Sequence, residues 1–247
     1  MDDSTASAEK RQHAEALRRH LQAAKHLRQQ ANFDPTAARE RLYLREWQAG
    51  RLARTHADLL ASARFGPAAR FFISDLYGPK DFSSRDEEVE RILPLLIKML
   101  PASALRTIAL AVELDALTEE LDAAMVAELC RAGRIEQIGQ DAYAAAYRAV
   151  ACETERQRQI ALIRATGEAL DKLATKPLLS SLLRLMRRPS QLAGLGDLHQ
   201  FLERGFNAFR GMGSASDFLE IIDRREKALL ARLFADEADP FRSEESS

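Results

Sequence analysis

The side chains that could do chemistry together lie in one short stretch, which begins at Arg70 and ends at Asp86. Carboxylate, phenol and guanidinium groups gathered against an aromatic wall can bind a small polar molecule or hold a proton. The same types also suit a purely structural role, as a buried helix followed by a turn and a charged helix start. We favour the structural interpretation and keep the pocket as its alternative. The candidate pocket residues are Arg70, Phe71, Phe72, Asp75, Leu76, Tyr77, Asp81, Arg85 and Asp86.

This stretch also carries a resemblance to a known group. Residues 71–77 read FFISDLY and continue as GPKDFSSRD, which resembles the name-giving motif and extension of the FFLEELY-motif family of bacterial proteins. The match keeps Phe71, Phe72, Leu76 and Tyr77, has Asp75 in place of Glu, and departs from the motif at Ile73 and Ser74. The resemblance implies an uncharacterised, all-helical bacterial protein, and it brings no established activity, substrate or catalytic residue.

The other residues that could do chemistry do not form a familiar catalytic or metal-binding pattern. None of the five histidines follows an acidic residue three positions earlier, so the Glu-x-x-His pairs of di-iron bundles are absent. Cys130 and Cys152 lie in Ala-rich contexts typical of small core residues. We find no nucleophile elbow and no phosphate-binding glycine loop. We therefore expect no metal and no cofactor. For enzymatic activity we favour its absence over its presence.

Three acidic residues share one helix face, because Asp115, Glu119 and Asp122 are spaced by four and three positions. Repeated acids of this kind can hold Mg²⁺ beside a diphosphate, but that chemistry needs a second acidic helix. We interpret the face as solvated.

The elements that must position these residues are helices. Gly and Pro divide the chain into about eight helical segments, and no stretch alternates as a β-strand does. The first two segments are long and are joined by a three-residue turn, where Asp34 can cap a helix that begins at Pro35. The second carries an apolar stripe that includes Leu42, Leu52, His56 and Leu59. The sequence thus predicts an all-α multi-helix bundle with an extended N-terminal antiparallel helical hairpin.

We expect three parts along the chain: the hairpin over residues 1–64, a bundle over residues 65–235, and an acidic flexible tail over residues 236–247. Each hairpin arm is Ala-rich and buries little apolar area, so it should pack against the body or a second copy. This favours a homo-oligomer or a protein partner bound through the hairpin.

Charge is distributed unevenly along a chain whose formal net charge is −1. Bases prevail in residues 1–64 and acids in residues 80–128, so these blocks are expected to attract each other within the fold or across a dimer. The basic excess is too small to favour nucleic-acid binding. We interpret the amphipathic segment from Leu178 to Arg188 as a core helix, not as a helix on a membrane surface.

No run of uncharged residues approaches the roughly 20 that cross a bilayer, and the first residues contain no apolar stretch that would mark a secretory signal. These features favour a cytoplasmic protein. The leading functional hypothesis is a non-enzymatic interaction or regulatory module. Its alternative is a small-molecule-binding bundle, as an enzyme or as a binding protein, with a pocket near Phe71, Phe72, Tyr77 and Arg85.

Overall fold

The computed structural model describes residues 3–76, 83–100 and 102–242. Over these ranges the chain forms eleven α-helices and one π-helical turn, Phe72–Leu76, and contains no β-strand, which confirms the all-α class. The helices are α1 (Asp3–Phe33), α2 (Pro35–Thr55), α3 (Ala57–Ala61), α4 (Gly66–Phe71), α5 (Ser83–Met99), α6 (Ala102–Arg131), α7 (Gln140–Val150), α8 (Glu153–Ala174), α9 (Pro177–Leu192), α10 (Gly196–Met212) and α11 (Ser216–Phe234).

The turn between α1 and α2 follows the sequence signals. The carboxylate of Asp34 accepts a hydrogen bond from the backbone N–H of Thr36 at 2.9 Å, and Pro35 begins α2. Such a cap satisfies one of the backbone donors that a helix start leaves unpaired.

Helix α1 lies chiefly along α6. Its apolar side chains Leu17, Leu21 and Ala24 are buried, and Leu17 and Leu21 share a core cluster with side chains of α5 and α6. The apolar stripe of the first helix is therefore covered by the body of the same chain.

The second predicted helix is shorter than expected, because it breaks at His56, where the backbone leaves helical geometry (φ −117°, ψ 30°) before α3 begins. No Gly or Pro marks this break. The buried positions of α2 are Leu44 and Gln48, whereas Leu42 of the predicted stripe is 38% exposed. The stripe was thus wrong at its N-terminal end, and His56 is buried as the stripe implied.

An aromatic core joins α4, the π-helical turn, α10 and α11. Phe71, Phe72, Phe209 and Phe218 are buried in one cluster with Met212. Gly205 on α10 permits the close approach, since a Cβ there would lie 2.7 Å from Cζ of Phe71. Phe72 and Phe218 pack with ring centres 5.7 Å apart.

Helix α9 divides its apolar side chains between two environments. Leu179 and Leu183 pack against the aromatic core, as a core helix requires. Leu185 and Leu192, however, are 74% and 91% exposed, so the core interpretation holds for one face only.

In the part of the chain that the structure describes, no helix combines the length and apolar character that crossing a membrane requires.

Candidate functional site

The structure brings together only some of the residues predicted for a pocket. Phe71 and Phe72 are buried in the aromatic core, and Arg70 is exposed and donates to the backbone carbonyl of Leu60 at 3.2 Å. The remaining predicted residues divide as follows: Leu76 ends the π-helical turn, Arg85 and Asp86 lie in the first turn of α5, and Tyr77 and Asp81 lie outside the described residues.

Asp75 is buried, and its carboxylate has one partner next to it in the sequence and one far from it. Its carboxylate accepts from Arg204 of α10 at 2.7 Å and from the hydroxyl of Ser74 at 2.9 Å. The ion pair ties the π-helical turn to α10, which is a structural role.

A cavity of about 90 Å³ lies beside Phe72 and is lined by side chains of the π-helical turn and of α2, α3, α4, α6, α7, α8 and α11. Its walls are mainly apolar, with Ile160 and Ile163 from α8 and Ile222, Leu229 and Leu230 from α11. Of the predicted pocket residues, Phe72 lines it, and so does the neighbouring Ile73. π-helical turns are rare and occur often at functional sites, and this one sets both side chains against the cavity.

One charged group at the cavity is a triad formed by Glu226, Arg51 and His56. Nη1 of Arg51 donates to both carboxylate oxygens of Glu226, at 2.6 and 2.7 Å, and Nε2 of His56 lies 2.9 Å from Oε1. Burial opposes ionisation of Glu226, but Arg51 and His56 outweigh it and lower the pKa of this carboxyl from 4.5 to about 2.

Two nitrogen atoms of the triad, one on His56 and one on Arg51, take no part in its hydrogen bonds. Because Glu226 is ionised, Nε2 of His56 donates its hydrogen to the carboxylate, and Nδ1 is the ring nitrogen outside this hydrogen bond. Neither this Nδ1 nor Nε of Arg51 has a hydrogen-bond partner among the described residues, although both atoms are buried.

The second charged group is Arg156, which is only 6% exposed. Its Nη1 donates to the side-chain carbonyl of Gln159 at 3.2 Å, and its guanidinium lies 4.7 Å from the ring centre of Tyr147. Gln159 in turn donates to Thr118 at 2.9 Å, which fixes the orientation of its amide. Nη2 of Arg156 is buried and has no hydrogen-bond partner in the described part of the chain.

The two arginines at the cavity differ in how their charges are paired. Arg51 is neutralised by Glu226, and Asp122 lies 3.5 Å from Nε of Arg45. The partners of Arg156 are the amide of Gln159 and the ring of Tyr147, and it forms no ion pair with any carboxylate among the described residues. Burial also raises the pKa of Tyr147, so its phenol stays neutral and cannot offset the guanidinium. Arg156 is therefore the guanidinium at the cavity that has no ion-paired carboxylate among the described residues.

The acidic face of α6 is not solvated, which corrects the sequence interpretation. Glu119 and Asp122 are 3% and 2% exposed, and Asp115 is partly buried. Arg28 of α1 is fully buried and donates to Glu119 at 3.0 Å and to Asp115 at 2.5 Å, while Arg45 of α2 donates to Glu119 at 2.6 Å. Arg41 also pairs with Glu119, and burial lowers the pKa of Arg41 from 12.5 to about 10.

This network holds three arginines and three acids, so it is balanced and ties α1 and α2 to α6. It also shows that the basic block of residues 1–64 and the acidic block of residues 80–128 pair within the chain. Lys25 and Glu90 form another such pair. Among the described residues no group of three or more His, Cys, Asp or Glu side chains is placed to hold a metal ion.

Sequence reasoning missed Arg51, Arg156 and Glu226. Each lies in a charged stretch of an amphipathic helix, where most such side chains are solvated. The one available signal was periodicity, since Arg156, Gln159 and Ile163 recur at the three- and four-residue steps of a buried face.

Comparison with known proteins gives one match. A family model described as "Domain of unknown function (DUF8198)" matches residues 26–240. No curated protein and no solved structure matches the chain. The match does not test the resemblance to the FFLEELY-motif family, which stays a prediction.

Proposed function

The chain belongs to the DUF8198 family, a domain of unknown function, and we propose that it is a small-molecule-binding helical bundle whose cavity takes a small carboxylate. The observation that carries the proposal is Arg156, a buried cation with an unpartnered Nη2 and no carboxylate beside it among the described residues. An uncompensated buried charge costs several kcal/mol, which a bound anion would offset.

The cavity also limits the size and character of the ligand. A volume of about 90 Å³ is smaller than the roughly 150 Å³ cavity that holds benzene. The walls are mainly apolar, so the ligand needs a short hydrocarbon part besides its charged group. An acid of about two to four carbon atoms meets both requirements, with its carboxylate on Arg156 and a further polar atom within reach of His56 or Arg51.

The test is a thermal-unfolding series with sodium formate, acetate, propionate, butyrate and hexanoate, at constant ionic strength against chloride. Each added CH₂ should strengthen binding by about 0.8 kcal/mol, or roughly fourfold, until the cavity is full. We expect the largest stabilisation with propionate or butyrate and a smaller one with hexanoate. A response that is flat along the series contradicts the proposal.

The diagnostic variant is Arg156→Gln, with Lys172→Gln as its control. Lys172 is an exposed lysine of the same helix, so the control removes the same charge without touching the cavity. Arg156→Gln should abolish the propionate effect, whereas Lys172→Gln should keep it. The ligand-free Arg156→Gln chain should be no more than about 1 kcal/mol less stable than wild type, because the substitution removes an unpaired buried charge.

The earlier hypothesis of a protein-interaction module stays as a second candidate, and Phe33 favours it. This side chain lies at the end of α1, beside the turn that leads into α2, and is 93% exposed. If the hairpin forms a homo-oligomer in a cytoplasmic setting, as the sequence predicts, native mass spectrometry should show a multiple of the chain mass. Phe33→Ser should then shift the protein to the monomer. A wild-type monomer at micromolar concentration would contradict the homo-oligomer.

A further inference from the structure

Helix α9 has a second apolar face, which lies in solvent. Leu185 and Leu192 are seven positions apart, so they lie on one side of the helix, about 10 Å apart along its axis. Leu183 and Ser190 lie on the opposite side, where Leu183 packs against the aromatic core and Ser190 is buried. The leucine pair is therefore outside the contact that α9 makes with α8 and α10.

Arginines lie beside this leucine pair. Arg188 falls between the two leucines on the same side of the helix, and Arg184 precedes it by one helical turn. Both arginines are exposed, and neither side chain forms a hydrogen bond or ion pair with any described residue. We refer to Arg184, Leu185, Arg188 and Leu192 as the outer face of α9.

The helix itself offers no compensating acid. Among its residues, Pro177–Leu192, three are arginines and none is aspartate or glutamate. Arg187 pairs with Glu203 of α10 at 2.5 Å, so that carboxylate is engaged on another side of α9. The outer face thus combines two exposed leucines with two positive charges that have no ion pair among the described residues.

We infer that the outer face of α9 binds the surface of an anionic lipid bilayer. A helix that lies in the headgroup region buries its leucines among the acyl chains, while its arginine stems extend along them. The guanidinium groups then reach lipid phosphates, with which they form paired hydrogen bonds. The outer face of α9 supplies both kinds of side chain in adjacent rows.

The composition of this face favours a bilayer over an acidic protein. The energetic anchors of protein interfaces are enriched in Trp and Tyr, whereas leucine is under-represented among them. Helix α9 contains no aromatic residue, and its exposed apolar side chains are aliphatic. The outer side of a helix is also convex, and a bilayer can accommodate a convex apolar row without a matching groove.

This surface is separate from the carboxylate cavity, because no residue of α9 lines that cavity. The sequence alone favoured a core helix here, since periodicity does not show that one pair of leucines faces solvent.

The experiment is vesicle flotation of the full chain at low ionic strength. One set of vesicles contains phosphatidylcholine alone, and the other is an equimolar mixture of phosphatidylcholine and phosphatidylserine. Binding to the mixed vesicles should be at least about tenfold tighter, because each arginine at an anionic surface contributes roughly a fivefold gain. Added sodium chloride should weaken this binding. Failure to float with the mixed vesicles overturns the proposal.

Variants of the leucines test whether apolar side chains enter the bilayer. The double variant Leu185→Gln/Leu192→Gln should weaken binding to the mixed vesicles at least about tenfold. Leu42→Gln is its control, because Leu42 is a partly exposed leucine of α2. Unchanged binding by the double variant would mean that charge alone attracts the chain, which overturns the outer face as a membrane site.

Variants of the arginines test whether this particular basic surface is used. Arg184→Gln/Arg188→Gln should weaken binding roughly twentyfold. Arg39→Gln/Arg54→Gln is the matched control, since it removes two exposed arginines from α2 and changes the net charge by the same amount. Equal losses in the two double variants would overturn the site.

Two further measurements distinguish the bilayer from other ligands. Poly-glutamate, added at the same concentration of negative charge as the phosphatidylserine, should leave the wild-type chain on the vesicles. Release by poly-glutamate would assign the face to an acidic protein and overturn the proposal. Arg156→Gln should float as wild type does, so the membrane surface and the carboxylate cavity can fail separately.

Discussion

At the scale of single residues, the cavity depends on how each buried charge is compensated. Glu226 lies between Arg51 and His56, so its charge is stabilised, whereas Arg156 faces an amide and an aromatic ring. Paired and unpaired buried charges respond differently to removal. Breaking a pair leaves the partner uncompensated, but neutralising an unpaired group relieves a cost.

Replacement of Glu226 tests how much stability is lost when the buried ion pair with Arg51 is broken. Glu226→Gln should lower the free energy of unfolding by about 3–5 kcal/mol at pH 7, because Arg51 is then buried without its carboxylate. Urea denaturation measures this loss. The exposed carboxylate of Glu120 provides a control, and Glu120→Gln should change stability by less than about 0.5 kcal/mol.

The same carboxyl predicts a pH dependence. Its pKa is lowered from 4.5 to about 2 in the fold, so its stabilisation is complete above pH 4.5 and is lost as the pH falls towards 2. The stability difference between wild type and Glu226→Gln should therefore shrink by about 3 kcal/mol between pH 6 and pH 2. A difference that stays constant over this range would contradict the ionised triad.

Individual side chains were the hardest part to predict from sequence. The spacing of Asp115, Glu119 and Asp122 placed them on one face, and this was correct. Their burial was not predictable, because the three arginines that cover them come from other helices, 74 to 91 positions away for Arg28 and Arg45. Local spacing says which residues share a face but not which helix will pack on it.

At the scale of helices, the packing of α10 against the aromatic core depends on a glycine, because the Phe71 ring occupies the space that a Cβ at this position would need. Gly205 faces the Phe71 ring, and Gly211 on the same helix has open space around it. Gly205→Ala should lower the free energy of unfolding by about 1–3 kcal/mol, because its Cβ would overlap the ring. Gly211→Ala should raise it by up to about 1 kcal/mol, since Ala favours the helix and meets no neighbour.

Chemical denaturation of the two variants checks this pair. They carry the same substitution in the same helix, so a loss for Gly211→Ala as large as that for Gly205→Ala would reject the packing explanation. An unchanged Gly205→Ala chain would show that α10 can move away from Phe71.

Helix boundaries were predictable where capping residues mark them and not elsewhere. Asp34 and Pro35 marked the start of α2 correctly. The break at His56 and the π-helical turn at Phe72–Leu76 carry no such residue, and both were missed. Each of these irregular segments places a side chain against the cavity, His56 in one case and Phe72 in the other. Tertiary packing around the cavity accounts for them better than local propensity does.

At the scale of the whole molecule, the all-α class followed from helix formers and from the lack of strand-like alternation. The position of the cavity did not follow from the sequence, because seven helices and the π-helical turn contribute to it from positions that run from Gln48 to Leu233. The motif stretch that stood out in the sequence contributes Phe72 and Ile73 to the cavity, and its Phe71 packs into the aromatic core.

A crystal structure of the protein grown in sodium propionate tests the carboxylate site most directly. We expect a carboxylate within about 2.7–2.9 Å of Nη2 of Arg156, with the alkyl part against Ile160 and Ile163. A cavity that holds only water, or an Arg156 that pairs with a carboxylate of its own chain, would contradict it.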